Sequence, residues 1–379
     1  MPITEPGDFP TAGDRTYLNT ASITLMYAGA REAVVAWFDK TAASGTSDFD
    51  ENAEEIVFED LRGATARLFN AKPADIAVGS SATELLASLA WAIMPGAGEN
   101  VVGMDAAFPS VVFPWARVAR ETNAEVRLAR ARDLLVDPES VVDLIDDNTS
   151  AVCISEVEYA SGQRYDVKRF AEVAHEHGAL LVVDATQSAG AVPIDVAQSG
   201  ADAVVSAGYK WLCGPFGAAV MYLTPALHGR LEPGTVGFRS HKNMWDLRAD
   251  RVELPRAARR FEPSTMAYGC AIGLAAAVEY LLSIGIERIA DHNRRLVEMI
   301  IEGLGARGGE VVTPAPLEER ASIVAGRFPG KTSDEVAAYL GAAGVIVSSR
   351  NGVVRWSPHL FNDEDDIGRM FEAIDGIVG

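Results

Sequence analysis

The chain reads as an α/β protein, with a large domain on a mostly parallel sheet flanked by helices and a smaller α+β C-terminal domain. Three observations carry that reading. Between about residues 76 and 223, short apolar runs alternate with helical stretches, the pattern of a sheet whose crossovers are helices. The runs are continuously apolar, as in Ala179-Leu180-Leu181-Val182-Val183, which marks strands buried on both faces. Beyond residue 266 the pattern changes to long helices and a hairpin. At 379 residues there is chain enough for two cores.

Taken in order, Tyr17-Leu18-Asn19-Thr20-Ala21-Ser22 is a short extended segment. Residues 31–40 and 51–69 have helical apolar spacing, with a polar loop at 41–50. Ile76-Ala77-Val78-Gly79 is a strand, and Ser80-Ser81-Ala82-Thr83 turns into a helix start. Strands follow at 100–104 and 151–155, and a helix at 167–177. His175 and His177 sit at that helix's end; their spacing puts them on different faces, which suits helix termination better than metal binding. The stretch 228–260 is long and irregular, so it is expected to be functional or interfacial. Helices are expected at 269–282 and 286–304, and a strand at 321–328. Thr332-Ser333-Asp334-Glu335 is a capping box. Strands at 345–349 and 353–357 flank the turn Arg350-Asn351-Gly352, and Asn362-Asp363-Glu364 opens the last helix. The expected division is an N-terminal arm at 1–25, a large domain at 26–265 and a small domain at 266–379.

The net charge of −20 argues against a nucleic-acid or anionic-membrane partner. Any anionic cofactor must then be held by local donors. Cys153, Cys213 and Cys270 are few, odd in number and widely spaced, which fits a reducing compartment and gives no zinc spacing. The first ten residues carry no cationic, apolar leader, and the longest apolar stretches are interrupted short of a membrane span. A cytoplasmic location is expected.

The chemistry centres on Val204-Val205-Ser206-Ala207-Gly208-Tyr209-Lys210-Trp211, followed by Gly214 and Gly217. A lysine between an apolar run and a glycine-rich turn either ends a strand at the surface or sits in an apolar pocket. In a pocket its pKa falls, and it becomes a nucleophile towards aldehydes. Asp184 ends the apolar strand before it, where ligands bind in open α/β sheets. An acid there suits pyridoxal phosphate (PLP), because a carboxylate keeps the pyridine nitrogen protonated.

Asp184-Ala185-Thr186-Gln187-Ser188-Ala189-Gly190, with Ser206-Ala207-Gly208-Tyr209-Lys210-Trp211, resembles the class V aminotransferase family of fold-type I PLP enzymes. That family includes cysteine desulfurases, selenocysteine lyases, isopenicillin N epimerase and kynureninase. The resemblance runs from Tyr17 to the last helix. It implies that Lys210 carries PLP as a Schiff base and moves the Cα proton, while Asp184 holds the pyridine nitrogen. Gln187 falls where the family contacts the phenolic oxygen. The Tyr209 hydroxyl and Ser206 would bind phosphate beside Ala82 and Thr83; a plain helix cap explains the latter pair equally. Phe108 would be the stacking ring, where the desulfurases carry a histidine; a core phenylalanine is the ordinary alternative. Tyr159 and Arg164 lie in the loop beside the cofactor hydroxyl and substrate. Asn19 lies on the arm at the substrate end. Arg355 matches the carboxylate-binding arginine, with Arg350 as rival. Thr265 matches a threonine that reaches the partner's phosphate, which implies a homodimer with shared active sites.

One departure stands out. The desulfurases place a nucleophilic cysteine before that arginine, and Ser348-Ser349-Arg350-Asn351-Gly352 has none. The expected enzyme abstracts the Cα proton of an amino acid, as an aminotransferase or a β-eliminating C–S lyase without a catalytic cysteine. Epimerisation and a catalytically idle PLP-binding protein are the alternatives.

Overall fold

The N-terminal segment joins the far end of the chain. In the computed structural model, which describes residues 2–378, strand β1 (Thr16–Tyr17) pairs in parallel with Val345–Ile346. The large sheet then takes up seven apolar runs: β2 (Ile76–Gly79), β3 (Asn100–Met104), β4 (Glu125–Ala129), β5 (Thr149–Ser155), β6 (Leu180–Asp184), β7 (Ala203–Ala207) and β8 (Ala219–Leu223). Their order is β2-β8-β7-β6-β5-β3-β4. All neighbours are parallel except around β8, which runs antiparallel to both β2 and β7. Strands β2, β3, β7 and β8 are buried throughout and β5 and β6 at all but one residue each, while the edge strand β4 is mostly half-buried. The chain winds outward from β3 to β4, then returns to place β5 on the other side of β3. That reversal opens a crevice at the carboxyl ends of β3 and β5.

Two helices bring their N-termini to this crevice. Ala82–Ile93 is capped by the Ser81 hydroxyl, which accepts from the Glu84 amide at 3.1 Å; it buries Leu85, Leu86 and Leu89 against the sheet. Pro109–Thr122 has proline in its first turn and ends at Asn123, which has φ 60°.

The second core holds β9 (Glu310–Val311), β10 (Val324–Arg327), β11 (Val345–Ile346), β12 (Ser348–Arg350) and β13 (Val353–Trp356). All but β11 form an antiparallel sheet in the order β12-β13-β10-β9. Leu296, Ile300, Val324, Leu340, Trp356 and Met370 pack together behind it. The capping box is present, with Thr332 Oγ1 accepting from the Glu335 amide at 3.2 Å and Glu335 Oε2 from the Thr332 amide at 2.8 Å.

Three expectations shift. Residues 51–69 form two helices, Glu51–Ile56 and Glu59–Leu68, broken at Val57 and Phe58. The first helix runs on to Ser44, through part of the expected loop. The cores divide inside the helix Ile286–Ala306, not at residue 266. Helix Tyr268–Ile284 lies on Ala28–Ser44 so closely that a Cβ on Gly273 would stand 2.5 Å from Val34 Cγ2. Its Leu274, Val278 and Leu281, with Ile286 and Ile289 beyond, belong to the large core; Leu296 is the first of that helix in the small one. No single helix among the described residues is long and apolar enough to cross a membrane.

Candidate active site

Asp184 is the last residue of β6 and only 7% exposed. The Thr186 amide donates to its Oδ1 at 2.9 Å, and Thr186 Oγ1 accepts from the Ala207 amide at 3.2 Å. Thr186 thereby fixes the carboxyl against the end of β7. Burial raises the pKa of Asp184; the Thr186 hydrogen bonds and the nearby Lys210 charge oppose the rise.

Lys210 lies three residues past β7 in a turn pressed close on its neighbours. Cβ atoms on Gly208 and Gly214 would meet Leu274 Cδ1 at 2.9 and 2.6 Å. The lysine is 8% exposed, and burial lowers its pKa to about 8, with Asp184 opposing and Arg355 and Arg350 adding to the fall. Its Nζ stands 5.5 Å from the Phe108 ring centre and 5.8 Å from that of Tyr209. An amine so placed loses its proton far more readily than one in water.

The opposite end of the cleft is built of donors. Ala82 and Thr83 open their helix, where amide N–H groups have no partner within the helix. The hydroxyls of Thr83 and Ser110 meet at 2.7 Å, one from each helix N-terminus. Tyr209 lines the same space, its ring stacked on Phe216 at 4.5 Å. The cleft holds about 520 Å³, open to solvent. An amine, an acid across from it, an aromatic face and a cup of anion donors fit a flat, phosphorylated aromatic aldehyde.

The model for class V aminotransferases matches residues 16–368. The chain belongs to the class V aminotransferase family. An uncharacterized aminotransferase of Bacillus subtilis is 29% identical, covering 98% of this chain and 95% of its own length. A probable cysteine desulfurase of Methanothermobacter thermautotrophicus is 28% identical, over 98% and 97%. Among solved structures, the apo cysteine desulfurase of Thermococcus onnurineus superposes with a TM-score of 0.89 at 26% identity, covering 98% of this chain and 97% of that one. A cystine C–S lyase, solved with its product cysteine persulfide, shares the fold at 21% identity and a TM-score of 0.87, over 96% and 98%. The protein is thus a PLP-dependent aminotransferase or lyase, and PLP is its cofactor.

Within this class V enzyme, Lys210, Asp184, Ala82, Thr83, Phe108, Tyr159, Gln187 and Tyr209 all line one cleft. Phe108 is 43% exposed, its ring edge-on to Tyr159 at 5.3 Å. The side-chain groups of Gln187 are already engaged: Nε2 donates to the Ala21 carbonyl at 3.0 Å, and Oε1 accepts from Trp211 Nε1 at 2.7 Å. It ties the arm to the lysine turn. Arg355 is 1% exposed; one Nη donates to the Tyr159 carbonyl at 2.6 Å and the other to the Ser22 hydroxyl, while Nε has no partner. Burial lowers its pKa to about 9, and no acid pairs with it among the described residues.

Other expected residues lie elsewhere. Ser206 does not reach the cleft: it is fully buried and its hydroxyl donates to the Ala207 carbonyl at 3.3 Å. Strand alternation gives the cleft to Ala207 and turns Ser206 away. Asn19 bridges to Ser357, its Oδ1 buried without a partner; Ser22, not Asn19, touches Arg355. Arg164 pairs with Glu156 at 3.1 Å outside the cleft. Thr265 is exposed and away from this chain's own cleft. No residue of 228–260 lines the Lys210 cleft; Val236, Leu247 and Val252 border a separate one.

Sequence reasoning missed Ser110, Thr186 and Glu158. Ser110 sits in a first helical turn, and Thr186 is two residues past the acid, so both carried a local signal. Glu158 carried none. It is 1% exposed with neither carboxyl oxygen bonded, and its pKa rises to about 8, through burial first and then Asp184 and Asp105. Burial pushes the thiols of Cys153 and Cys213 up to about 12, which leaves them protonated and inert.

Proposed function

We propose that this enzyme removes the Cα proton of an amino acid, with Lys210 as the base, and completes either a transamination or a β-elimination without a thiol nucleophile. The observation that carries the reading is the buried Lys210 amine beside Asp184 in a cleft lined by Tyr159, with Arg355 bonded behind Tyr159. When bound, PLP supplies an electron sink for charge developing at Cα. Asp184 holds the ring nitrogen, its carboxyl aimed by Thr186. Ala82, Thr83, Ser110 and Tyr209 would hold the phosphate, and Phe108 would supply an aromatic face for the ring. Arg355 would take the substrate carboxylate by exchanging its bonds to the Tyr159 carbonyl and the Ser22 hydroxyl, with no protein acid to displace. The lowered proton affinity of Lys210 suits a general base near neutral pH.

A persulfide route needs a thiolate at the cleft. The hairpin from Ser348 to Gly352 has no cysteine, and the thiols of Cys153 and Cys213 are buried. Sulfur from a cysteine-like substrate would therefore leave as free sulfide or thiol. Exposed Thr265 suits a contact with a second copy's phosphate site, as in a homodimer. The test is turnover of an amino-acid panel scored for keto acid, for pyruvate with ammonia, and for the D-isomer. Keto acid or pyruvate supports the proposal. D-isomer alone redirects it to epimerisation, and no product from any amino acid by the PLP-loaded protein contradicts it.

A further inference from the structure

We propose that the substrate carries a second anionic group, on its side chain, and that Arg350 receives it. The inference rests on the reading that Arg355 holds the α-carboxylate.

Hairpin register places the two arginines together. Ser348 lies opposite Arg355 and Arg350 opposite Val353. Side chains alternate along a strand and opposed residues share a face, so Ser348, Arg350 and Arg355 project on the same side. On that side Arg355 meets Tyr159, which lines the cleft. Arg355 donates to the Tyr159 carbonyl at 2.6 Å, and Asn351, next to Arg350 in the turn, donates to the Tyr159 hydroxyl at 3.2 Å. Tyr159 stands against Phe108, and Phe108 lies 5.5 Å from Lys210 Nζ. The Arg350 charge is felt at both Lys210 and Arg355.

Neither arginine is neutralised by the protein. The one hydrogen bond of the Arg350 side chain among the described residues goes to its neighbour's carbonyl, Ser349, at 2.8 Å. By contrast, Arg327 on the adjoining β10 is clasped by Asp133. In a chain of net charge −20, two guanidinium groups on one face of this hairpin, neither paired with an acid among the described residues, form a local excess of positive charge. A monocarboxylic amino acid with a neutral side chain would answer only one guanidinium. A short amino acid ending in carboxylate or sulfinate would answer both, its chain passing Phe108 and Tyr159. Arg350 is exposed, so it can take a ligand bidentately without losing a protein partner.

The experiment is calorimetric titration of the PLP-loaded enzyme with unreactive acids at constant ionic strength: malonate, succinate and glutarate against propionate, butyrate and pentanoate. At least one dicarboxylate should bind about tenfold or more tightly than the monocarboxylate of equal length. Arg350→Ala should abolish that advantage, weakening dicarboxylate binding about tenfold or more beyond any loss of monocarboxylate binding, while Arg350→Lys keeps part of it. Turnover of L-aspartate or L-glutamate should exceed that of the matching amide, with the preference lost in Arg350→Ala. No dicarboxylate preference in the parent enzyme, or a preference that survives Arg350→Ala, overturns this inference and leaves the Arg355 reading standing. Unchanged binding of both acid classes by Arg355→Ala instead overturns the carboxylate reading, and this inference with it.

Discussion

Replacing Glu158 by glutamine should stabilise the protein by an amount that grows with pH. The carboxyl is buried with both oxygens unbonded, and the backbone on either side is fixed: the Glu158 amide donates to the Gln163 carbonyl at 2.8 Å, and its carbonyl accepts from the Gly162 amide at 3.0 Å. The main chain that carries the buried carboxyl is therefore held in place. Burial, Asp184 and Asp105 raise its pKa from 4.5 to about 8. The sign follows. Below its ordinary pKa the group is neutral in both the folded and unfolded chain, and burial carries no ionisation penalty. As pH rises towards 8 the unfolded chain sheds the proton and the folded chain keeps it, so stability falls. Above the folded pKa both states are charged and the penalty is complete. At about 1.4 kcal/mol per pH unit the full swing is about 5 kcal/mol, and about 3 kcal/mol of it falls between about pH 5 and about pH 7. Glutamine does not titrate. Its unbonded amide shifts the whole difference curve by a constant, and the slope is unaffected. Urea unfolding of both proteins across that range reads the difference directly, because all other titrating groups cancel to first order. A stability difference that stays flat with pH would refute the burial argument and return Glu158 to an ionised, solvated role.

Three further outcomes follow from the site. Arg355→Ala should raise KM for amino acids about tenfold to a hundredfold, through loss of a charge-assisted fork, while PLP content measured by absorbance barely changes. The triple variant Cys153→Ser, Cys213→Ser, Cys270→Ser, once folded, should keep its catalytic rate within a small factor. A persulfide found by mass spectrometry on any of the three during turnover, with activity lost on its replacement, would restore the desulfurase route. Sedimentation should find a dimer, and a fully active monomer would remove Thr265 from the site.

What the sequence made legible, it did through local pattern. The run Leu180 to Asp184 is apolar because both sheet faces cover it, and its acid falls at the carboxyl end because the strand stops there. Lys210 stood out because Gly208 and Gly214 mark a turn pressed against Leu274. Ser206 was the avoidable miss, since strand alternation separates it from Ala207. Where the two hydrophobic cores part was hidden for a different reason. The helix Tyr268–Ile284 is apolar nearly all round, so its sequence does not say which core it joins; its fit on Ala30 and Val34 does. The unpartnered carboxyl of Glu158 and the bonds holding Gln187 arise from residues far apart in the chain, and no local spacing announces them. Arg350 and Arg355 were rivals in sequence. The hairpin register, which pairs Ser348 with Arg355, puts them on one face.

The central claim is that Lys210 is the residue that carries the cofactor and moves the proton. The purified protein loaded with PLP should show visible absorbance that borohydride reduction abolishes. Peptide mapping should then find the cofactor on the fragment containing Lys210, and Lys210→Ala should fold, retain its dimer and turn over nothing. Reduction that fixes the cofactor on another lysine, such as Lys168, or sustained turnover by Lys210→Ala, would contradict the account at its centre.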